Sequence, residues 1–171
     1  MARAYKNIAR VLKTHGSKGE VVVAPLRGLP FAMYEGMEVA LTPPALDRDR
    51  FVTVEGIAGY EDAPRVRFGC ASSLEDAESL VGCYVLADVD DLDLAPLDVA
   101  YDDLIGRSVL DERFGDLGRI AEVMETPAND VWVLRGSSHG EVLIPVIEDV
   151  VLDLPASGPI SVAVMDGLIN S

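Results

Sequence analysis

Asn7-Ile8-Ala9-Arg10-Val11-Leu12-Lys13-Thr14-His15-Gly16-Ser17-Lys18-Gly19-Glu20-Val21-Val22-Val23-Ala24 is the stretch whose reading decides the fold. Two β-prone runs, Asn7 to Lys13 and Glu20 to Ala24, flank a loop with glycine at positions 16 and 19. A strand, a glycine-containing loop and a second strand make the hairpin signal. The same punctuation continues downstream. Met37 to Thr42, Phe51 to Ala58, Arg65 to Phe68 and Tyr84 to Ala87 read as strands, with turn clusters at Pro43-Pro44 and Glu61-Asp62-Ala63-Pro64. One helix interrupts them, over Leu74 to Val81. Ser72 with Glu75 three residues on forms a capping-box pattern. Leu74, Ala77, Leu80 and Val81 make one apolar face, and Gly82 suits the C-terminal cap.

Composition then shifts. Residues 88 to 98 are acidic and contain Pro96, the mark of a solvated linker. Strand-like runs resume at Ile105 to Leu110, Leu117 to Met124, Val131 to Arg135, Glu141 to Ile144, Val150 to Leu154 and Ile160 to Val164. Many short strands at this spacing predict an all-β protein of two small barrels, over residues 1–88 and 99–171, joined by an acidic linker at 89–98.

The chain has 171 residues and a net charge of −15, which disfavours broad, non-specific nucleic-acid binding and favours a basic protein partner. The charge is uneven. Residues 1 to 27 hold six bases (Arg3, Lys6, Arg10, Lys13, Lys18 and Arg27) and only Glu20 as an acid, so the remaining 144 residues carry −20. No apolar run approaches the ~20 residues of a spanning helix. The N-terminus leads into no signal-peptide core. Cys70 and Cys83 lack metal or redox spacing and suit a reduced, cytoplasmic protein with two buried thiols.

Catalytic equipment is scarce. His15 and His139 both sit in glycine-containing turns without a nucleophile partner in a recognisable motif. No zinc spacing is present. Asp88, Asp90 and Asp93 resemble a calcium loop only superficially, because Asp93 stands where that loop needs glycine and Val99 where it needs glutamate. Gly16-Ser17-Lys18-Gly19 is too short for a P-loop and leads into a strand, not a helix. It is a tight turn with one exposed lysine. Its alternative is a contact with RNA. Tyr5, Phe31, Tyr34, Phe51 and Phe68 are scattered along the chain and read as core more readily than as a stacking platform. No enzyme, metal or cofactor is expected.

Two blocks resemble the RimM family of ribosome maturation factors. The first runs from Ile8 to Val21, with a His15-Gly16-x-x-Gly19-Glu20 turn. The second runs from Asp103-Leu104-Ile105-Gly106 through Phe114-Gly115-Asp116-Leu117-Gly118-Arg119-Ile120, Glu125 to Val131 and Glu141 to Pro145, closing at Asp166-Gly167-Leu168-Ile169. It is similar to the family's PRC barrel. Ser72 to Tyr84 also resembles the helix near the end of the family's first domain.

The resemblance implies a translation-factor-like barrel followed by a PRC barrel. It also implies a non-enzymatic, chaperone-like role in small-subunit assembly. The expected partners are ribosomal protein S-nineteen and the immature small ribosomal subunit, in aid of head maturation and small-subunit rRNA processing. Family members carry a tyrosine pair before the Asp-Leu-x-Gly segment, and that place is held here by Val99 and Ala100, followed by Tyr101. Val99, Ala100, Tyr101 and Trp132 are therefore the candidate residues for the ribosomal protein. Trp132 reads as core packing, while strand alternation that turns Val131 and Val133 inward raises an outward Trp132 as the alternative to test. Arg10, Lys13, His15 and Lys18 are the candidate rRNA contacts. Two rival readings are an RNA-binding module working through the basic N-terminal segment and a PRC-barrel scaffold unrelated to ribosomes.

Overall fold

The structure, a computed structural model, describes residues 4–59 and 63–169. Arg3, and Glu61 and Asp62 of the turn cluster, lie outside the described residues. The chain divides into two compact units, Met1–Leu94 and Ala95–Ser171.

In the first unit six strands close an antiparallel barrel in the order β1-β2-β5-β4-β3-β6. They are β1 (Tyr5–His15), β2 (Glu20–Pro25), β3 (Glu38–Thr42), β4 (Phe51–Ala58), β5 (Arg65–Phe68) and β6 (Tyr84–Asp88). Register explains the closure. Val11 faces Val23, Val21 faces Val66, Val54 faces Phe68, and Leu41 faces Val85. All eight are buried. One face of every strand therefore feeds a single core, and a one-residue slip would turn that face to water. Two irregularities in β1, between Asn7 and Ala9 and between Val11 and Lys13, bend the strand as barrel closure requires.

The helix α1 (Leu74–Glu78) is shorter than the sequence predicts, and its cap lies one residue later. Ser73 is the N-cap: its Oγ accepts from the Asp76 amide at 3.2 Å, while the Asp76 carboxylate accepts from the Ser72 amide at 3.1 Å. Ser72–Glu75 is therefore not the reciprocal pair. Ala77 and Leu80 are buried, but Leu74 and Val81 are exposed, so the apolar face is narrower than expected. A 3-10 turn over Val89–Asp91, capped by the buried Asp88 carboxylate on the Asp90 amide at 3.0 Å, follows β6.

The second unit's first helix is α2 (Tyr101–Leu104), a short helix that the sequence reading does not foresee. Ile105 and Gly106 form its exit, not the start of a strand. Then come β7 (Ser108–Asp111), β8 (Gly115–Met124), β9 (Val131–Ser137), β10 (Gly140–Pro145), β11 (Val151–Asp153) and β12 (Ile160–Val162). They form one sheet in the order β10-β9-β8-β7-β12-β11, with β12 parallel to β7 and the other pairs antiparallel. Val142 from one end of that order and Val151 from the other share one buried cluster. Strands lie about 4.8 Å apart, so a flat sheet would hold those ends ~24 Å apart.

Trp132 corrects the outward alternative. It is 1% exposed and pairs with Ile144, while Leu134 pairs with Val142, and all four are buried. The phase is opposite to the one that alternative requires: Trp132 and Leu134 point in. Val133 occupies the other face, sheltered between its paired neighbours Leu143 and Glu122. In Val131-Trp132-Val133-Leu134 every position is apolar, so the run carries no phase of its own.

Candidate interaction surfaces

On the first unit, neighbouring strands gather base that the sequence disperses. Directly paired residues share a face of a sheet. Lys13 of β1, Val22 of β2 and Arg65 of β5 are paired in turn, so they form one outward row. Val22, between them, is 6% exposed. At the end of β1, Arg65 Nη1 lies 2.8 Å from His15 Nε2. A guanidinium can only donate, so Nε2 is the unprotonated ring nitrogen in this contact. Arg67 stands two residues further along β5 and pairs with Glu55 at 3.1 Å. Lys18, at the hairpin tip, lines a shallow recess with Arg67 and the carboxylates Glu20 and Glu35.

Lys13, His15 and Lys18 are thus exposed and joined by Arg65 and Arg67, which the sequence reading missed. The signal was present: in Arg65-Val66-Arg67-Phe68, alternation buries Val66 and Phe68 and turns both arginines out. Arg10 is also exposed but sits further back on β1, its guanidinium 5.6 Å from the Tyr84 ring centroid.

On the second unit the four partner candidates are mostly taken up by packing. Trp132 and Ala100 are buried, and Val99 is half-buried against the core. Neither Trp132 nor Ala100 presents a surface. Tyr101 packs partly on the same core and donates from its hydroxyl to Asp130 Oδ2 at 2.9 Å. That bond fixes the start of α2 beside the loop 125–130, which Thr126 and Asn129 brace internally. Around Tyr101 the exposed residues are Asp102, Asp103 and Ile105.

The charge of this unit is one-sided: four arginines against fourteen carboxylates. Each arginine is held by the unit itself. Arg107 donates to the carbonyls of Pro155 and Gly158, and Arg119 to that of Gly106. Arg113 binds Asp166 at 3.0 Å and the Val164 carbonyl, and Arg135 binds Glu141 at 3.1 Å. Two of these arginines, Arg113 and Arg135, pair with carboxylates, those of Asp166 and Glu141.

Reactive groups are not assembled into a site. The His139 ring lies 3.2 Å from the Phe114 carbonyl through Nε2 and edge-on to the Phe114 ring. Cys83 is buried, Cys70 only half-buried, and both are free thiols. Burial pushes the Cys70 thiol up, against the pull of Arg48, which opposes nucleophile character. Among the described residues no His, Cys, Asp or Glu group could hold a metal, and no helix is long and apolar enough to cross a membrane.

Two family models cover most of the chain: the RimM N-terminal domain over residues 6–92 and the RimM PRC barrel domain over 101–157. The chain belongs to the RimM family. A ribosome maturation factor RimM of Shouchella clausii is 32% identical over 167 residues, covering 95% of each chain. That of Heliobacterium modesticaldum is 34% identical over 164 residues, covering 94% of this chain and 96% of its own. The solution structure of the N-terminal domain of RimM from Thermus thermophilus matches 52% of this chain and 94% of that one, with 19% identity and a TM-score of 0.40.

The RimM glycine turns make structural sense here. A Cβ on Gly19 would collide with the Ala71 carbonyl, and one on Gly118 with the Arg135 carbonyl. Both positions also have positive φ, at 96° and 99°. These glycines hold each unit together and leave binding to the side chains around them.

Proposed function

We propose that this RimM chain is a non-enzymatic factor of small-subunit assembly in the cytoplasm. On this reading the second unit binds basic ribosomal protein S-nineteen during head maturation, and the first unit touches rRNA. The observation that carries the reading is the second unit's fourteen carboxylates, set against arginines that the unit ties down itself. Such a surface attracts a basic partner, raising on-rate and specificity more than affinity. Tyr101, Asp102, Asp103 and Ile105 supply an aromatic edge, charge and an apolar side chain at one place. The factor would act by holding an assembly intermediate more tightly than the finished subunit, since only a difference in affinity shifts an equilibrium. Release, and the rRNA processing that depends on a matured head, would then need no chemistry by this chain.

Calorimetric titration with purified S-nineteen tests the reading. Saturable one-to-one binding that weakens with salt yet persists at ~0.3 M, where exposed charges are strongly screened, is expected. Absence of binding, or binding that vanishes with salt, overturns it.

The rRNA contact rests on Arg65 and Arg67 joining Lys13, His15 and Lys18 on one outer face. Each phosphate neutralised steepens the log-log dependence of affinity on salt by about 0.7 to 0.9. A Lys13→Gln, Arg65→Gln double variant should therefore flatten that slope by about 1.5 on an rRNA fragment from the head. An unchanged slope removes these residues from the interface.

A further inference from the structure

Besides the basic face, the first barrel carries a second outer surface, formed by β6, β3 and the start of β4. Leu86, Ala40 and Phe51 are paired in turn across those strands and are half-buried, while Val85, Ala87, Val39 and Val52 beside them point into the core. The row is thus an apolar floor on the outside of a closed barrel. Tyr5 stands at its end, its ring 5.9 Å from that of Phe51 and tilted by 30°. Pro44, Ala45, Arg48, Asp49 and Arg50 wall the floor, leaving a recess of about 240 Å³. Arg48 is fixed by hydrogen bonds to the carbonyls of Pro43 and Leu41, at 2.7 and 3.4 Å. The Arg50 guanidinium lies 5.6 Å from the Phe51 ring centroid.

We infer that this recess takes an unpaired nucleobase of RNA. Two aromatic rings on an apolar floor offer a stacking surface to any base, and arginines at the rim offer partners for the flanking phosphates. The volume suits one flat ring system and is below the ~300 Å³ at which drug-sized pockets begin. Charge decides against the other obvious occupant, a side chain of a basic protein, because Arg48 and Arg50 outweigh Asp49 at the rim. The next outward row, Thr42 and Tyr84 with Arg10 against the Tyr84 ring, continues the aromatic and basic alternation toward β1. The inference deepens the reading that the first unit touches rRNA, and adds recognition of single-stranded RNA to a backbone contact.

The test is fluorescence anisotropy of the full chain with a short labelled oligoadenylate and, in parallel, a labelled RNA duplex. Phe51→Leu keeps apolar bulk but removes the ring, and Arg50→Gln changes an exposed residue. Each should weaken oligoadenylate binding roughly tenfold, the scale of one lost stacking contact, and leave duplex binding unchanged. Thermal melts of both variants check that the barrel is intact. The Lys13→Gln, Arg65→Gln variant should weaken both ligands. If Phe51→Leu and Arg50→Gln bind oligoadenylate like the wild type while the basic-face variant does not, the recess is not a base site and the backbone contact stands. If the wild type binds the duplex but not oligoadenylate, the base site is likewise excluded. If the wild type binds neither RNA, both readings fall. If the two variants instead weaken S-nineteen and spare RNA, the recess belongs to a protein side chain and the inference is wrong.

Discussion

Gly118→Ala is expected to cost the second unit about 4 kcal/mol, a large part of the 5–15 kcal/mol that holds a typical domain. Two independent penalties add. The residue sits at φ 99°, where a Cβ costs roughly 1–3 kcal/mol. The new methyl would also collide with the Arg135 carbonyl of the adjacent strand β9. That oxygen is backbone of the strand paired with β8 and can move only by prising β8 from β9, a strain of about 1–3 kcal/mol. Gly115, three residues earlier at φ 70°, has open space where its Cβ would lie, so Gly115→Ala should show the backbone penalty alone. Trp132 is the only tryptophan in the chain and is buried in this unit, which makes its fluorescence the reporter in urea unfolding. Equal midpoints for the two variants would show that the close approach of β8 to β9 contributes nothing.

Asp111→Asn should lower stability by about 2–3 kcal/mol at neutral pH, and the loss should depend on pH. Asp111 is buried at the end of β7 and gathers three backbone amides. Its Oδ1 accepts from Val164 at 2.7 Å, and its Oδ2 accepts from Arg113 at 2.7 Å and Phe114 at 2.9 Å. Burial alone would push this carboxyl up, but the amides of Val164, Phe114 and Arg113, with the Arg113 guanidinium, hold it below the usual carboxylate value. A buried donor left without its partner costs about 1–3 kcal/mol, and asparagine can turn only one oxygen to these three amides.

The sign follows from the lowered value. The ionised carboxyl contributes its full stability above the unfolded pKa of about 3.9 and loses it as the pH falls through the folded value. The gap between wild type and Asp111→Asn should therefore be widest at neutral pH and narrow below about pH 4. Urea unfolding across that range reads it directly. A gap constant with pH would mean that ionisation of Asp111 does not stabilise the unit.

Twelve short runs bounded by glycine, proline and acid locate the strands before any coordinates, because alternation and turn chemistry are local properties. Residues whose environment depends on pairing were harder to read. Trp132 lies in a run without polar residues, and only its partners Ile144 and Val123 fix its phase. The α1 cap could sit on either of two adjacent serines, and the structure selects Ser73. The basic face was half legible. Arg10, Lys13, His15 and Lys18 lie on one strand and its turn, whereas Arg65 and Arg67 reach them only because β5 pairs with β2 across the intervening residues 26–64. Tyr5 and Phe51 looked scattered for the same reason. β1 and β4 lie far apart in the chain, yet the closed barrel brings the Tyr5 and Phe51 rings to 5.9 Å.

The way each sheet ends bears on how the chain behaves when crowded. Closing β1 against both β2 and β6 leaves the first unit no open row of backbone amides and carbonyls for another copy to extend. The second unit's order ends at β11 and β10. The first of these is three residues long and finishes on exposed Asp153; the second finishes on Pro145, which has no amide to offer. Short, charged or proline-terminated margins resist edge-to-edge growth into aggregates. For a chain with the role proposed above, such margins would offer an exposed strand of an unfinished neighbour little to template on.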